Sequence, residues 1–245
     1  VNMATATREA KEAESWVLVT PADGLTEGTY ALVASTKNKT GVLVSTNGSS
    51  SAPTFDTSIT VEGNVLKGVS EAMQFDLAAA DKGYTLAVAG QTKNYLYTTN
   101  SNNGVRIGTE PNNVWTIDQH ESESDAFVFK CNATSRYLGV YNDTDWRCYT
   151  AYDAKNFTNE TGSSKIYLYK KTAGDVQPDT TPKLEVAEES LSLNASAAEG
   201  TVAVTAKNIA SIVVRALVEE DSQEEVDWLT VEYADGVITY SAEEN

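Results

Sequence analysis

Three similar blocks of short β-branched and aromatic runs constrain this chain more than any other feature, because a repeated unit that cannot bury its own apolar face must pack against its copies. Trp16-Val-Leu-Val19, Tyr84-Thr-Leu-Ala-Val88 and Ala126-Phe-Val-Phe129 lead the blocks. Each is followed by a tyrosine-led run: Tyr30-Ala-Leu-Val33, Tyr95-Leu-Tyr97 and Tyr137-Leu-Gly-Val140. A turn and a third run come next: Gly41-Val-Leu-Val44, Gly104-Val-Arg-Ile107 or Trp146-Arg-Cys-Tyr149. Phe75-Asp-Leu77, Trp115-Thr-Ile117 and Ile166-Tyr-Leu-Tyr169 close them. Three units of four strands predict an all-β domain that removes its edges by closure, a β-trefoil or a related closed barrel, with a less symmetric barrel or sandwich as the alternative. The lead tyrosines are unevenly spaced because the first unit holds a Ser/Thr-rich stretch around 45–69, within which Val61–Leu66 predicts an extra hairpin.

The blocks end at Thr172-Ala-Gly-Asp-Val-Gln-Pro-Asp-Thr-Thr-Pro182, which carries two of the five prolines and no periodic apolar pattern. The expected organisation is a tether or short helix over 1–14, a threefold-repeat β domain over 15–172, a linker over 173–182 and a small β-sandwich over 183–245. Charge divides at the same place: residues 1–174 hold 19 acids and 15 bases, whereas 175–245 hold 16 acids and 3 bases. At a net charge of −17 the chain repels phosphate backbones, so nucleic acid is not an expected partner. No apolar run reaches the roughly 18 residues of a membrane span, and Val1-Asn-Met-Ala-Thr-Ala6 lacks a signal-peptide core.

Residues 183–245 predict six strands: 184–187, 190–194, 201–206, 211–218, 228–233 and 237–242. A seven-stranded sandwich stopped at six leaves an unpaired edge, which predicts a neighbouring domain or chain that completes the sheet.

Sugar recognition needs an exposed aromatic face with nearby amide, carboxylate or guanidinium groups. Tyr141-Asn-Asp-Thr-Asp-Trp-Arg147 is the best such cluster, and Tyr97-Thr-Thr-Asn-Ser-Asn-Asn-Gly-Val-Arg106 is its counterpart one unit earlier. The candidate ligand-binding residues are therefore Tyr97, Asn103, Arg106, Tyr141, Asp143, Asp145 and Trp146. The competing reading is a pair of hairpin turns with Trp146 and Tyr97 packed inward. His120, the only histidine, lies in a polar run, Asp118–Asp125, with no nucleophile placed beside it by spacing, and reads as an exposed loop residue. Cys131 and Cys148 read as two buried thiols, with a disulfide as the alternative. The acidic run Glu219–Asp227 lacks the glycine of a calcium loop and reads as solvated. No catalytic residue, metal or cofactor is expected.

Trp16-Val-Leu-Val-Thr-Pro-Ala-Asp-Gly-Leu-Thr-Glu-Gly-Thr-Tyr30, with Asn94-Tyr-Leu-Tyr97, Val114-Trp-Thr-Ile117, Ser135-Arg-Tyr-Leu138 and Ile166-Tyr-Leu-Tyr-Lys170, resembles a repeat-built accessory domain of secreted Bacteroidetes proteins. Leu184-Glu-Val-Ala-Glu-Glu-Ser-Leu-Ser-Leu193, Asp227-Trp-Leu-Thr-Val231 and Gly236-Val-Ile-Thr-Tyr-Ser-Ala242 resemble the BACON domain, an immunoglobulin-like module of the same bacteria. That family's first tryptophan after the third strand is absent here, where Ile209 and Ile212 stand, and so is its final strand. The resemblance implies export, an extracellular or outer-membrane location and a non-catalytic role in glycan capture. Its alternative is a structural spacer or adhesion stalk.

Overall fold

A computed structural model describes residues 12–99, 102–157, 165–193 and 196–244. The protein is all-β and divides into two compact units, Val1–Pro178 and Asp179–Asn245. Most of the tether expected over 1–14 lies outside the described residues, and Glu14 already belongs to the first strand.

The first unit begins with β1 (Glu14–Val19), β2 (Gly28–Ser35), β3 (Thr40–Val44), β4 (Thr54–Asp56), β5 (Thr60–Glu62), β6 (Val65–Lys67) and β7 (Phe75–Ala80). It continues with β8 (Gly83–Val88), β9 (Tyr95–Thr98), β10 (Val105–Gly108) and β11 (Trp115–Gln119). It ends with β12 (Phe127–Cys131), β13 (Tyr137–Tyr141), β14 (Asp145–Tyr149) and β15 (Ile166–Ala173). Antiparallel pairing runs β2 to β7, β7 to β8, β8 to β11, β11 to β12, β12 to β15 and β15 back to β2, a closed ring of six strands. Between the two ring strands of each repeat stands a hairpin: β3–β4, β9–β10 and β13–β14.

The hairpins are tied together in a cycle. The Ile107 N–H donates to the Gly48 carbonyl at 3.0 Å, Cys148 N–H to the Asn103 carbonyl at 3.0 Å, and Phe55 N–H to the Thr144 carbonyl at 2.9 Å. Each repeat's second hairpin strand thus bonds to the turn of the preceding hairpin, and otherwise orphaned amides are satisfied between repeats rather than within them.

This pairing corrects the division of the first repeat. Trp16–Val19 is not its leading ring strand: β1 lies outside the ring, pairs with β15 and β6, and places Trp16 in a separate apolar cluster. The ring strand is β2, the run taken for the second strand. Alternation explains why. Tyr30, Leu32 and Ala34 point into the main core, whereas Ala31 and Val33 join Val42, Val44, Ile59, Leu66, Met73 and Tyr169 on the opposite side. A strand apolar on both faces must be covered on both, and β1 with the β5–β6 hairpin supplies the outer cover. The extra hairpin expected within 61–66 is present, and this is its physical role.

The expected linker begins later than composition suggested. β15 extends to Ala173, Gly174 N–H donates to the Ala13 carbonyl at 2.8 Å, and Val176 N–H donates to Ser15 Oγ at 2.9 Å.

The second unit holds β16 (Lys183–Val186), β17 (Ala198–Lys207), β18 (Leu229–Ala234) and β19 (Val237–Ala242), in one antiparallel sheet ordered β16-β17-β19-β18. Two of the six expected strands are not present among the described residues. Ser190–Leu193 is irregular, Asn194 lies outside the described residues, and 211–218 contributes only the isolated bridge Leu217↔Glu225. With one layer rather than two, Leu184, Leu191, Val213 and Trp228 remain exposed.

A side chain at position 83 would disturb the ring directly. Gly83 has φ +157°, and a Cβ there would collide with the Trp115 carbonyl of the neighbouring ring strand. Gly83→Ala is expected to destabilise the first unit by about 1–3 kcal/mol in urea unfolding. An unchanged midpoint would show that β8 and β11 do not approach as described.

Candidate functional site

The candidate cluster sits on the third repeat's hairpin. Tyr141 ends β13 and Asp145 begins β14, and the turn between them is closed by the Thr144 N–H on the Tyr141 carbonyl at 3.1 Å. Asn142 and Asp143 both take positive φ, 51° and 54°, a conformation that short side chains able to bond their own backbone accommodate best. Alternation along β14 then turns Trp146 and Cys148 inward and leaves Asp145 and Arg147 on the outer face.

Two of the proposed ligand contacts are thereby corrected. Trp146 is fully buried in the main core and meets Phe55 edge-on at a centroid distance of 6.1 Å, whereas Tyr97 is buried on the outer face of the second hairpin, paired with Arg106 and lying over Gly108. Trp146 therefore points into the core, and Tyr97, though on the outer face, is 7% exposed, so neither offers an open ring face to a ligand. Trp146 Nε1 has no hydrogen-bond partner there, so its burial rests on packing alone. Burial pushes the Tyr97 hydroxyl upward, Glu110 adds to this and Arg106 opposes it.

What remains on the rim is polar and ordered. Arg147 Nε donates to Asp145 Oδ1 at 2.6 Å and Nη2 to Oδ2 at 3.2 Å, a two-point pair that fixes the guanidinium plane. That plane lies 3.8 Å from the centroid of the Tyr141 ring. The Asp145 bond holds Arg147 still more firmly in its charged form. Asp143 Oδ2 accepts from Asn38 Nδ2 at 2.9 Å, which links the rim to the β2–β3 turn of the first repeat. In the second repeat, Asn103 is exposed and Arg106 half-buried, opposite Tyr97 on the paired strand.

Arg147 and Asn38 were not singled out from sequence. The first was readable: an Asp-x-Arg pair flanking an inward tryptophan must share the outer face of a strand. Asn38 was not, since its partner is 105 residues away.

His120 is 1% exposed, which corrects the expected surface position. Its Nδ1 accepts the Ser122 N–H at 3.1 Å, and the ring lies against Tyr152 at 5.7 Å. The polar neighbours in sequence bend away while the imidazole fills a gap at the end of β11. Burial, reinforced by the Lys165 charge, lowers its pKa to about 4. Cys131 and Cys148 are both buried and unbridged. Thr98 Oγ1 donates to Cys131 Sγ at 3.1 Å, and burial pushes the Cys148 thiol up to about 12. Among the described residues, no group of three or more His, Cys, Asp or Glu side chains is arranged to hold a metal ion. In the acidic run, Glu225 is paired with Arg215 at 2.7 Å. No described helix is long and apolar enough to cross a membrane.

In comparisons with known proteins, no family model and no curated sequence matched this chain.

The depressed His120 pKa links stability to pH. The unfolded chain binds its proton near pH 6.5 and the folded chain only near 4, so the stabilisation is complete above 6.5 and is lost as pH falls towards 4. The expected slope is about 1.4 kcal/mol per pH unit within that window. In urea unfolding, the stability difference between the protein and its His120→Gln variant should shrink across it. A difference independent of pH would mean that the imidazole is not buried in its neutral form.

Proposed function

We propose that this chain is a non-catalytic glycan-capture module of an exported, surface-associated Bacteroidetes protein, with a β-trefoil-like repeat unit followed by a BACON-like, immunoglobulin-related unit. The side chains best suited to acid-base or nucleophilic chemistry are committed to packing: His120 is buried in its neutral form, and Cys131 and Cys148 are buried thiols. The observation that carries the binding reading is the Tyr141–Asp145–Arg147 cluster on the rim. A carboxylate that accepts and a guanidinium that donates, held in one plane, match the alternating demands of neighbouring sugar hydroxyls. An exposed ion pair contributes about 1 kcal/mol or less to stability, so orientation of these groups is its main effect.

A second reading is a spacer or adhesion stalk without a ligand of its own. The burial of Trp146 and Tyr97 favours it, since it removes the aromatic platform on which sugar C–H groups stack. On either reading, the single-layered second unit, with β16 and β18 as its sheet edges, is where a neighbouring domain or chain adds.

A glycan array of bacterial, plant and mammalian saccharides separates the two. Capture predicts a specific hit that Arg147→Gln or Asp145→Asn abolishes while the thermal midpoint stays within a few degrees. Trp146→Ala should instead destabilise by about 3–5 kcal/mol, as a core truncation does. A blank array, or a hit indifferent to both rim variants, would remove the rim as a binding site and leave the spacer.

A further inference from the structure

Of the three arginines among the first unit's described residues, Arg147 is paired with Asp145 while Arg106 and Arg136 have no ion pair. Both are half-buried, and among the described residues neither has a carboxylate within ion-pair distance, in a protein where acids outnumber bases 35 to 18. Among the described residues, each guanidinium makes one hydrogen bond: Arg106 Nη1 donates to its neighbour's carbonyl, Val105, at 2.8 Å, and Arg136 Nη1 to Asn103 Oδ1 at 2.9 Å. A guanidinium carries five N–H donors, so each keeps donors beyond the bond named here.

The fold brings the two together from different repeats. Arg106 is an outward residue of β10, two positions after Gly104, while Arg136 immediately precedes β13. Between them runs the Asn103–Gly104 turn, pinned from the third repeat by Cys148: its N–H donates to the Asn103 carbonyl at 3.0 Å and its thiol to the Gly104 carbonyl at 3.3 Å. Arg136 Nη1 holds the Asn103 side chain and Arg106 Nη1 the Val105 carbonyl, so both guanidinia are anchored within the three consecutive residues 103–105. Glu110 is the carboxylate on this side; it reaches the Tyr97 hydroxyl electrostatically but does not pair with Arg106.

We propose that Arg106 and Arg136, with the exposed Asn103 amide, form an anion-binding subsite for a carboxylate or sulfate group, the charged substituent of an acidic saccharide. Two like charges held half-desolvated on a fixed turn repel each other, and an oxyanion between them converts that repulsion into charge-assisted hydrogen bonds. The acidity of the chain does not oppose this locally, because residues 1–174 carry only four more acids than bases. The subsite stands apart from the Tyr141–Arg147 rim and does not need that reading to hold.

The test is an amide-resolved NMR titration with sodium D-glucuronate and, separately, sodium sulfate, against D-glucose and sodium chloride at matched ionic strength. Saturable shifts at Asn103, Gly104 and Cys148 with glucuronate, sulfate or both are expected, and none with glucose. Arg106→Gln and Arg136→Gln should each weaken binding on the order of tenfold, whereas Lys67→Gln, an exposed cation on β6, leaves it unchanged. Should Arg136→Gln disturb the turn, Arg136→Lys keeps the charge and is expected to retain binding. The subsite is overturned if neither anion gives saturable shifts, if glucose gives the same shifts, or if the double Gln variant still binds. A blank glycan array with shifts here would leave the subsite standing and remove only the rim.

Discussion

The pairing of Ile166–Lys170 with Tyr30–Ala34 is the interaction on which the first unit depends. It joins strands from opposite ends of the repeat array, and it converts a meander with two free edges into a ring. The entropic cost of such a long closure grows only slowly with loop length, so a few well-packed strand pairs suffice to hold it. Once closed, the ring has an interior. That interior decides the fate of each large apolar side chain in the repeats: Phe75, Leu86, Trp115, Phe129, Leu138 and Trp146 all fall into a single cluster.

The same closure decides what chemistry survives at the surface. Inward residues of the ring and hairpin strands are withdrawn from water. They include both cysteines and Trp146. The alternate residues, Asp145, Arg147 and Arg106, stay at the rim, and turns held by bonds between repeats fix where they stand. Function, on this account, belongs to outward positions of the hairpins and to the turns, while the aromatics that look most like ligand platforms serve the core.

Much of this was legible in the chain. All twelve repeat runs are strands, and the hairpin in the first repeat's insertion is where its alternation put it. Two things were hidden by the same ambiguity. Tyr30-Ala-Leu-Val33 and Trp16-Val-Leu-Val19 have similar patterns, and only the three-dimensional pairing reveals that the first is buried on both faces while the second is an outer cover. In the candidate loop, composition identified a turn rich in Asn and Asp but not the strand phase after it, and a one-residue phase difference exchanges Trp146 for Arg147 at the surface. The second unit differs more: runs at 190–194 and 211–218 have strand composition, yet the described residues form a single sheet, and apolar side chains stay exposed.

Charge follows the same division. Residues 175–245 hold nearly half of the acids and three bases, of which Lys183 and Arg215 are paired within the unit. The net charge of −17 therefore describes the second unit more than the repeat unit. Ring closure, the central claim, is most directly tested by native-state amide hydrogen exchange in the repeat unit. The account predicts that amides of β2 and β15 bonded to each other exchange only on global unfolding, with the same free energy as those joining β11 to β12. Exchange of the β2 and β15 amides several orders of magnitude faster than the β11–β12 set would mean an open sheet, and would contradict it.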